Sequence, residues 1–270
     1  MPHHWLTRIG IYPAVIVLAS LVLLLPMSAF QPAQAQEALP AMNLVGNAHM
    51  QDNRLRLTQN EQLQTGAGWL VDKQQVADGF TVDFQWEIVR VNPRRGAEGF
   101  AVVLHNADGQ PFPDFLLGAG RHGLGYQGIP NSLAVEFDTV QTPPIDFGGG
   151  KGDPNDNHIS VQSRGQEPNS ANTDFSLGFT TQTEPAVPLF TNGRHTARIV
   201  YTPPAEKRAG NNAVFLDQQP QPVLNVHVNL AELLRLDEGS AWVGVTAATG
   251  RRFQAHDIHA FTFISTEPAQ

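Results

Sequence analysis

The chain contains no cysteine in its 270 residues. No disulfide can therefore staple it, and its stability has to come from a sizeable hydrophobic core and from bound ions. Basic residues are also scarce: 17 Lys and Arg against 25 Asp and Glu leave a formal net charge of -8. A chain this acidic lacks the positive footprint that nucleic acid binding requires. Helical periodicity is nearly missing, with one short piece at 230–236, where Leu230, Leu233 and Leu234 share a face. There is no internal repeat, no heptad and no Gly-x-Ser-x-Gly elbow, so neither a coiled coil nor an elbow-type Ser-His-Asp hydrolase is supported.

Residues 1–35 read as an export signal, with Arg8 as the basic end, an uncharged apolar run over 9–30 and Ala33-Gln34-Ala35 as a cleavage triplet. The remaining 36–270 form a single domain. Uncleaved, the apolar run is long enough to anchor the chain in a membrane. Pro13 and Pro26 disfavour a spanning helix, and the cleavage triplet favours removal. Either outcome places the domain outside the cytoplasm: secreted, periplasmic or at the cell surface.

Short alternating strands are what the chain has in quantity. They fall at 54–57, 80–91, 99–104, 133–140, 158–161, 195–201, 213–216, 223–228, 241–247 and 256–264, separated by Gly, Pro, Asn and Asp. Many short strands with turn signals between them make an all-β antiparallel sandwich or barrel. Val82, Phe84, Trp86 and Ile88 alternate onto one face, as do Phe100, Val102 and Leu104, and both faces are expected to pack inward. Over 242–246 the faces Trp242-Gly244-Thr246 and Val243-Val245 are equally eligible for the core.

The chemistry concentrates in Ala134-Val135-Glu136-Phe137-Asp138-Thr139 and in Asp153-Pro154-Asn155-Asp156-Asn157-His158. On a strand Glu136 and Asp138 project together while Val135 and Phe137 face the other way, and no Lys or Arg adjoins them. A buried, unpaired carboxylate pair is costly unless a cation sits between its members. Asp153 adds a third carboxylate, and His158 an imidazole at the start of the next strand. Carboxylate oxygens suit Ca²⁺, and carboxylates mixed with an imidazole suit a transition ion, so one cluster can hold two ions. Two acids on a strand are more often a solvated face, and a lone His near a turn is more often an ordinary polar residue. The joint pattern outweighs that reading.

These strings resemble the metal-binding segment of the legume-type (L-type) lectin family, in which a Glu-x-Asp strand and an Asp-Pro turn leading to His hold Ca²⁺ and a transition ion. Upstream, Gly99-Phe100-Ala101-Val102-Val103-Leu104-His105-Asn106-Ala107-Asp108 is similar to the family's strand ending in a sugar-binding Asp. Downstream, Trp242-Val243-Gly244-Val245-Thr246-Ala247-Ala248-Thr249-Gly250 is similar to the strand that enters its specificity loop. The matches fall in the family's order over 43–265, so the resemblance covers the whole domain. It implies a concanavalin-like jelly roll in a secreted, bacterial-like member.

For the site, the resemblance implies that Glu136, Asp138, Asp153 and His158 hold the transition ion, with Mn²⁺ the first choice. Asp138, the Val140 carbonyl and Asp153, with Asp146 or Thr142, would hold Ca²⁺. Asp108, following a cis peptide after Ala107, would face the sugar together with a backbone N–H from Gly120 or Gly123 in the glycine-rich run 118–125. A phosphate cradle is the rival reading of that run, and it fails because no Lys-Ser/Thr follows and no helix opens there. Gly250, Arg251 and Arg252 would occupy the variable specificity loop. Two arginines there suit an acidic or phosphorylated glycan, because a guanidinium grips carboxylate or phosphate in bidentate fashion. His256 and His259, flanking the Asp257–Ile258 pair, are expected to be structural.

Two departures from the family pattern stand out. Thr142 replaces an Asn that serves both ion and sugar, and the insert 143–152 is longer than the family's loop. Asp146 or the Thr142 carbonyl would replace the lost oxygen, and Phe147 would give a sugar ring an apolar platform. The expected function is that of a Ca²⁺-dependent, non-catalytic carbohydrate-binding protein whose partner is a glycan or glycoconjugate, with a homo-oligomer compatible. One alternative is a structural or adhesion domain that keeps the ions without the sugar. Another is a laminarinase-type glycoside hydrolase, whose Glu-x-Asp-x-x-Glu strand would need an acid where this chain has Gln141; an amide cannot serve as general acid.

Overall fold

The computed structural model describes Met1 and residues 39–89, 97–107, 113–180, 187–191 and 193–266. The expected export signal therefore lies, Met1 apart, outside the described residues, and the fold is that of the unit Gln34–Gln270. Among the described residues no helix is long and apolar enough to cross a membrane.

The strands run in chain order as β1 (Met42–Gly46), β2 (His49–Gln51), β3 (Arg54–Thr58), β4 (Thr65–Leu70) and β5 (Gln74–Gln75). They continue as β6 (Phe80–Val89), β7 (Gly99–His105), β8 (Ser132–Asp138), β9 (His158–Ser163) and β10 (Ser176–Phe179). The last are β11 (Arg194–Thr202), β12 (Asn211–Leu216), β13 (Leu224–His227), β14 (Ser240–Ala248) and β15 (Ala255–Ser265). An eight-stranded sheet has the order β1-β4-β14-β7-β8-β9-β10, with β5 added on β14. A seven-stranded sheet has the order β13-β12-β11-β6-β15-β3-β2. Every pairing between these strands is antiparallel, which makes a jelly-roll sandwich.

Alternation explains the core. Along β6 burial switches at every residue, so Phe80, Val82, Phe84, Trp86 and Ile88 enter the space between the sheets. Phe100 and Val102 from β7 meet them with Val135 and Phe137 from β8 and Ile159 and Val161 from β9. The rings interlock: Phe100 and Phe137 stack at 4.9 Å, and Phe84 meets Phe137 edge-on at 5.5 Å. On β14 the inward set is Val243, Val245 and Ala247. Its other face turns outward, where Gly244 leaves room for the Trp69 ring and the Thr246 hydroxyl donates to the Leu124 carbonyl at 2.8 Å.

That outward face is itself covered. Trp69, Ala101, Val103 and Ala134 pack beneath Leu124, Tyr126 and Ile129 of the segment 113–131, forming a second, smaller core. β1, β2, β4, β5 and β10 have no counterpart among the expected strands. β4 reads as a turn because Gly66 and Gly68 interrupt it, yet Gly66 is needed there, since a Cβ would run into the Leu57 carbonyl. The expected helical piece at 230–236 is one turn, α1 (Leu230–Leu233).

Removing the Phe84 ring should cost about 3–5 kcal/mol in unfolding free energy as Phe84→Ala. Leu177→Ala, at a side chain 40% exposed, should change stability by less than about 0.5 kcal/mol. Denaturant titration of both variants checks this; similar losses would contradict the placement of the core.

Candidate functional site

Register builds the site. Gly99 lies opposite Asp138 and Ala101 opposite Glu136 across β7 and β8, while β9 sets His158 opposite Asp138 and Ser160 opposite Glu136. Directly paired residues share a face, so these polar groups all project to the outer side of the eight-stranded sheet. They are nonetheless buried: Glu136 is 2%, Asp138 4%, Asp153 7% and His158 1% exposed.

Each acid has its own donors. Glu136 accepts from the Tyr126 hydroxyl at 2.5 Å, from the Ser160 hydroxyl, and from Gln162 Nε2 at 3.3 Å. Asp138 Oδ1 accepts the Val140 N–H at 2.6 Å. Asp153 Oδ2 accepts the Thr142 N–H at 2.8 Å, and the Asp153 N–H donates in return to the Thr142 carbonyl at 2.9 Å. Among the described residues none of the three forms an ion pair with Lys or Arg. Burial consequently pushes the Glu136 carboxyl up to about 8 and that of Asp153 up to about 6. Asp138 is raised well above its ordinary value, first by burial and then by the charges of Asp153 and Glu136.

His158 has the opposite character. Its Nδ1 lies 3.0 Å from the Asn155 carbonyl, which can only accept, so Nδ1 carries the proton and Nε2 keeps its lone pair. Burial lowers its pKa to about 4, leaving the ring neutral at pH 7. Buried acids without a counter-cation and a neutral, oriented imidazole are a donor set that fits Ca²⁺ and a transition ion. The side chains are not drawn into a closed shell: among the described residues no group of three or more His, Cys, Asp and Glu is arranged to hold an ion. The repelling acids instead take the nearest N–H and O–H donors, Glu136 turning to Tyr126, Ser160 and Gln162. Thr142 is buried with its carbonyl engaged by Asp153, and Asp146 is exposed in the 3-10 turn Pro144–Phe147.

Asp108 lies outside the described residues. The strand leading toward it leaves the sheet where His105 pairs with Ser132 and the Asn106 N–H donates to the Asn131 carbonyl at 3.0 Å, the end of β7 opposite to Asp138. The acid that flanks Asp138 is Glu98, which the sequence reading missed. Its carbonyl accepts the Thr139 N–H at 2.8 Å and the Thr139 hydroxyl at 2.9 Å. Its carboxylate lies over Gly250, in space that a Cβ on Gly250 would take. Burial pushes it up to about 7 against the opposing pull of Arg252 and Arg121. The one available signal was its position, an acid immediately before a buried strand whose first residue pairs with Asp138.

A buried chain of hydrogen bonds holds Glu98 from behind. His256 Nδ1 meets the Thr58 hydroxyl at 2.7 Å, and Gln254 Nε2 reaches His256 Nε2 at 3.1 Å and the Thr139 hydroxyl at 2.9 Å. His256 thus sits at the centre of a structural relay, whereas His259 meets Glu87 at 3.2 Å. In the glycine-rich run, Gly123 donates its N–H to the Gly120 carbonyl at 3.1 Å, and Gly120 closes against Thr65, whose hydroxyl a Cβ would strike. Phe147 is half-buried, its ring edge-on to His122 at 5.1 Å. Gly250 is buried, and Arg251 and Arg252 are exposed. Gln62 Nε2 ties down the Arg251 carbonyl at 2.7 Å, and the Leu63 N–H ties down that of Gly250 at 3.1 Å.

A family model described as the legume lectin domain matches residues 27–270. No curated protein matches the chain. Among solved structures, a lectin from Bauhinia forficata in complex with GalNAc matches with a TM-score of 0.64 at 22% identity, over 87% of this chain and 96% of that one. The metal-free form of lectin I-B4 from Griffonia simplicifolia matches with a TM-score of 0.62 at 20% identity, again over 87% and 96%. The exoplasmic/lumenal domain of VIP36 in its Ca²⁺/Man-bound form matches with a TM-score of 0.59 at 16% identity, over 86% of each chain. At these identities the likeness to the solved structures is one of fold.

The raised acids predict a signature in ion-free protein. Glu136 binds its proton up to about 8 when folded against an ordinary 4.5, and Asp153 up to about 6 against 3.8. Above about pH 6.5, where the buried neutral His158 no longer differs in charge from an unfolded His, the chelated protein should therefore lose stability as pH rises toward 8 and Glu136 gives up its proton. Added Ca²⁺ and Mn²⁺ should restore stability at pH 8 and do little at pH 4. Thermal melts across this range check it; a chelated protein whose melting point rises toward pH 8 would contradict it.

Proposed function

The chain belongs to the legume lectin domain family, and on that premise we propose that it is a secreted, non-catalytic carbohydrate-binding protein whose sugar site is shaped by Ca²⁺ and Mn²⁺. In this reading residues 1–35 are removed on export and 36–270 act outside the cytoplasm. The observation that carries the reading is the buried acid set Glu136, Asp138 and Asp153, which forms no ion pair with Lys or Arg among the described residues, beside the neutral His158. Glu136, Asp138, Asp153 and His158 would hold the transition ion. Asp138, Asp153 and the Val140 carbonyl, with Asp146 or the Thr142 carbonyl, would hold Ca²⁺. The ions supply the fixed positive charge that the acids lack and pin the loop between Asp138 and Asp153.

The chain's own residues then form the pocket. Glu98, beside Asp138, accepts the sugar hydroxyls, the role that the family resemblance suggested for Asp108. Gly120 is the better backbone donor, because the Gly123 N–H is already bonded to the Gly120 carbonyl. Phe147 gives the ring an apolar platform next to His122. Thr142 grips Asp153 through its N–H, so its contribution is to hold a ligand of the ion instead of the sugar. The solved lectins of this fold that carry GalNAc or Man support a glycan as the partner.

Glycan-array binding by the full mature protein should be abolished by EDTA and by Asp138→Ala, and restored to the wild-type chain alone by Ca²⁺ with Mn²⁺. Array binding that survives Asp138→Ala would overturn the scheme. Chelator-sensitive stability without any glycan bound would select a structural or adhesion domain, and shortened glycans a hydrolase. Gly250→Ala should displace only the tip of Glu98, weakening binding by about tenfold while shifting stability by less than about 1 kcal/mol. Titration calorimetry and denaturant melts of that variant measure the two effects separately.

A further inference from the structure

Three arginines stand exposed on the loops around Glu98. Among the described residues, the side chains of Arg121, Arg251 and Arg252 form no hydrogen bond or ion pair with one another or with any described group. The other described arginines are engaged, as Arg54 and Arg56 are by Asp257 and Arg198 by Asp83. Arginines at ordinary surface positions would scatter over the molecule; these gather at one place from two separate loops.

The loops are built to hold them there. Arg121 opens the 3-10 turn Arg121–Gly123 with a φ of 54°, a left-handed conformation that non-glycine residues adopt at a cost and that recurs at binding sites. Arg251 and Arg252 follow Gly250, whose N–H donates to the Arg252 carbonyl at 3.1 Å to close a tight turn. That turn is bolted to the segment 59–64: besides the ties from Gln62 and Leu63, the Thr249 hydroxyl donates to the Glu61 carbonyl at 2.7 Å. Glu98 fixes the geometry between the loops. Its carboxylate rests on Gly250, and the charges of both Arg252 and Arg121 act on it. One half-buried carboxylate faces two exposed guanidinium groups, and Arg251 is the exposed neighbour of Arg252 in the chain.

We infer, on the lectin reading given above, that the glycan selected by this site carries an oxyanion, a carboxylate or a phosphate, that docks between Arg121 and Arg252. The planar fork of a guanidinium presents paired N–H donors that match the two oxygens of such a group. The neutral part of the sugar lies over Glu98 and the Phe147 platform, and the oxyanion faces outward to the arginines. Arg251 contributes long-range attraction, its carbonyl being the part held by Gln62.

The test compares the ion-loaded wild-type protein with methyl glucoside, methyl glucuronide and glucose 6-phosphate by titration calorimetry. At least one anionic ligand should bind about tenfold or more tightly than the neutral one, the gain of a charge-assisted hydrogen bond. Which of the two prevails identifies carboxylate or phosphate as the group. The advantage should shrink as NaCl is raised and disappear in the double variant Arg121→Gln, Arg252→Gln. Arg164→Gln, at a guanidinium that donates to the Pro168 carbonyl four residues on, should keep it. Binding of the neutral sugar with no anionic advantage, or an advantage that persists in the double variant, overturns the inference and leaves the lectin reading standing. A wider glycan array on which nothing binds in the presence of both ions overturns the two together.

Discussion

Three carboxylates buried together, Glu136 and Asp138 on the outer face of a sheet and Asp153 in the loop that enters β9, with no ion-paired Lys or Arg among the described residues, are the constraint on which the rest of this structure turns. Glu136 and Asp138 cannot relieve it by rotating to water, because the alternate residues Val135 and Phe137 are locked into the inter-sheet core. Sliding the strand by one position would exchange the two faces and bury the acids among aromatic rings. The same register brings His158 opposite Asp138 and Ser160 opposite Glu136, so the inner core dictates the composition of the outer site. Hydroxyl and amide donors answer Glu136 in part, but they carry no charge, and Asp138 and Asp153 continue to repel each other. A divalent cation is the economical solution to such an arrangement.

The covering layer follows from this. A sheet face that carries buried acids must be screened from bulk water, and the segment 113–131 does so with Leu124, Tyr126 and Ile129. Tyr126 combines both tasks, packing its ring in the small outer core and directing its hydroxyl to Glu136. Where that cover ends, the glycine-rich turn, the loop after β14 and the insert after Asp138 come together around Glu98. Rigid strands thus hold the chemistry, while the loops that differ among members of a family shape what is bound.

Much of this was legible in the sequence, and what was not has identifiable causes. β6 was readable because strict alternation of large apolar residues admits one interpretation. The burial of Glu136 and Asp138 was readable because both alternate with core residues on an apolar strand. β4 was hidden because the glycines that let it pass close to its neighbours also mimic a turn. The core face of β14 was undecidable from 242–246, since Gly244 gives no hint that Trp69 fills its place. That the Glu98 end of β7 adjoins Asp138 was hidden because strand pairing cannot be read from composition: acids stand on both sides of β7 in the sequence, and only its register with β8 shows which end meets Asp138. The outward donors to Glu136 come from Tyr126, Ser160 and Gln162, on separate segments whose convergence is a property of the sheet.

The most direct test of a cation at the heart of the site is the metal content of the protein itself. Elemental analysis of the purified domain, dialysed free of loosely held ions, should find calcium and a transition metal in comparable, near-stoichiometric amounts, both lost on chelation at pH 8. Protein that contains neither metal, and takes up neither when they are supplied, would contradict the account.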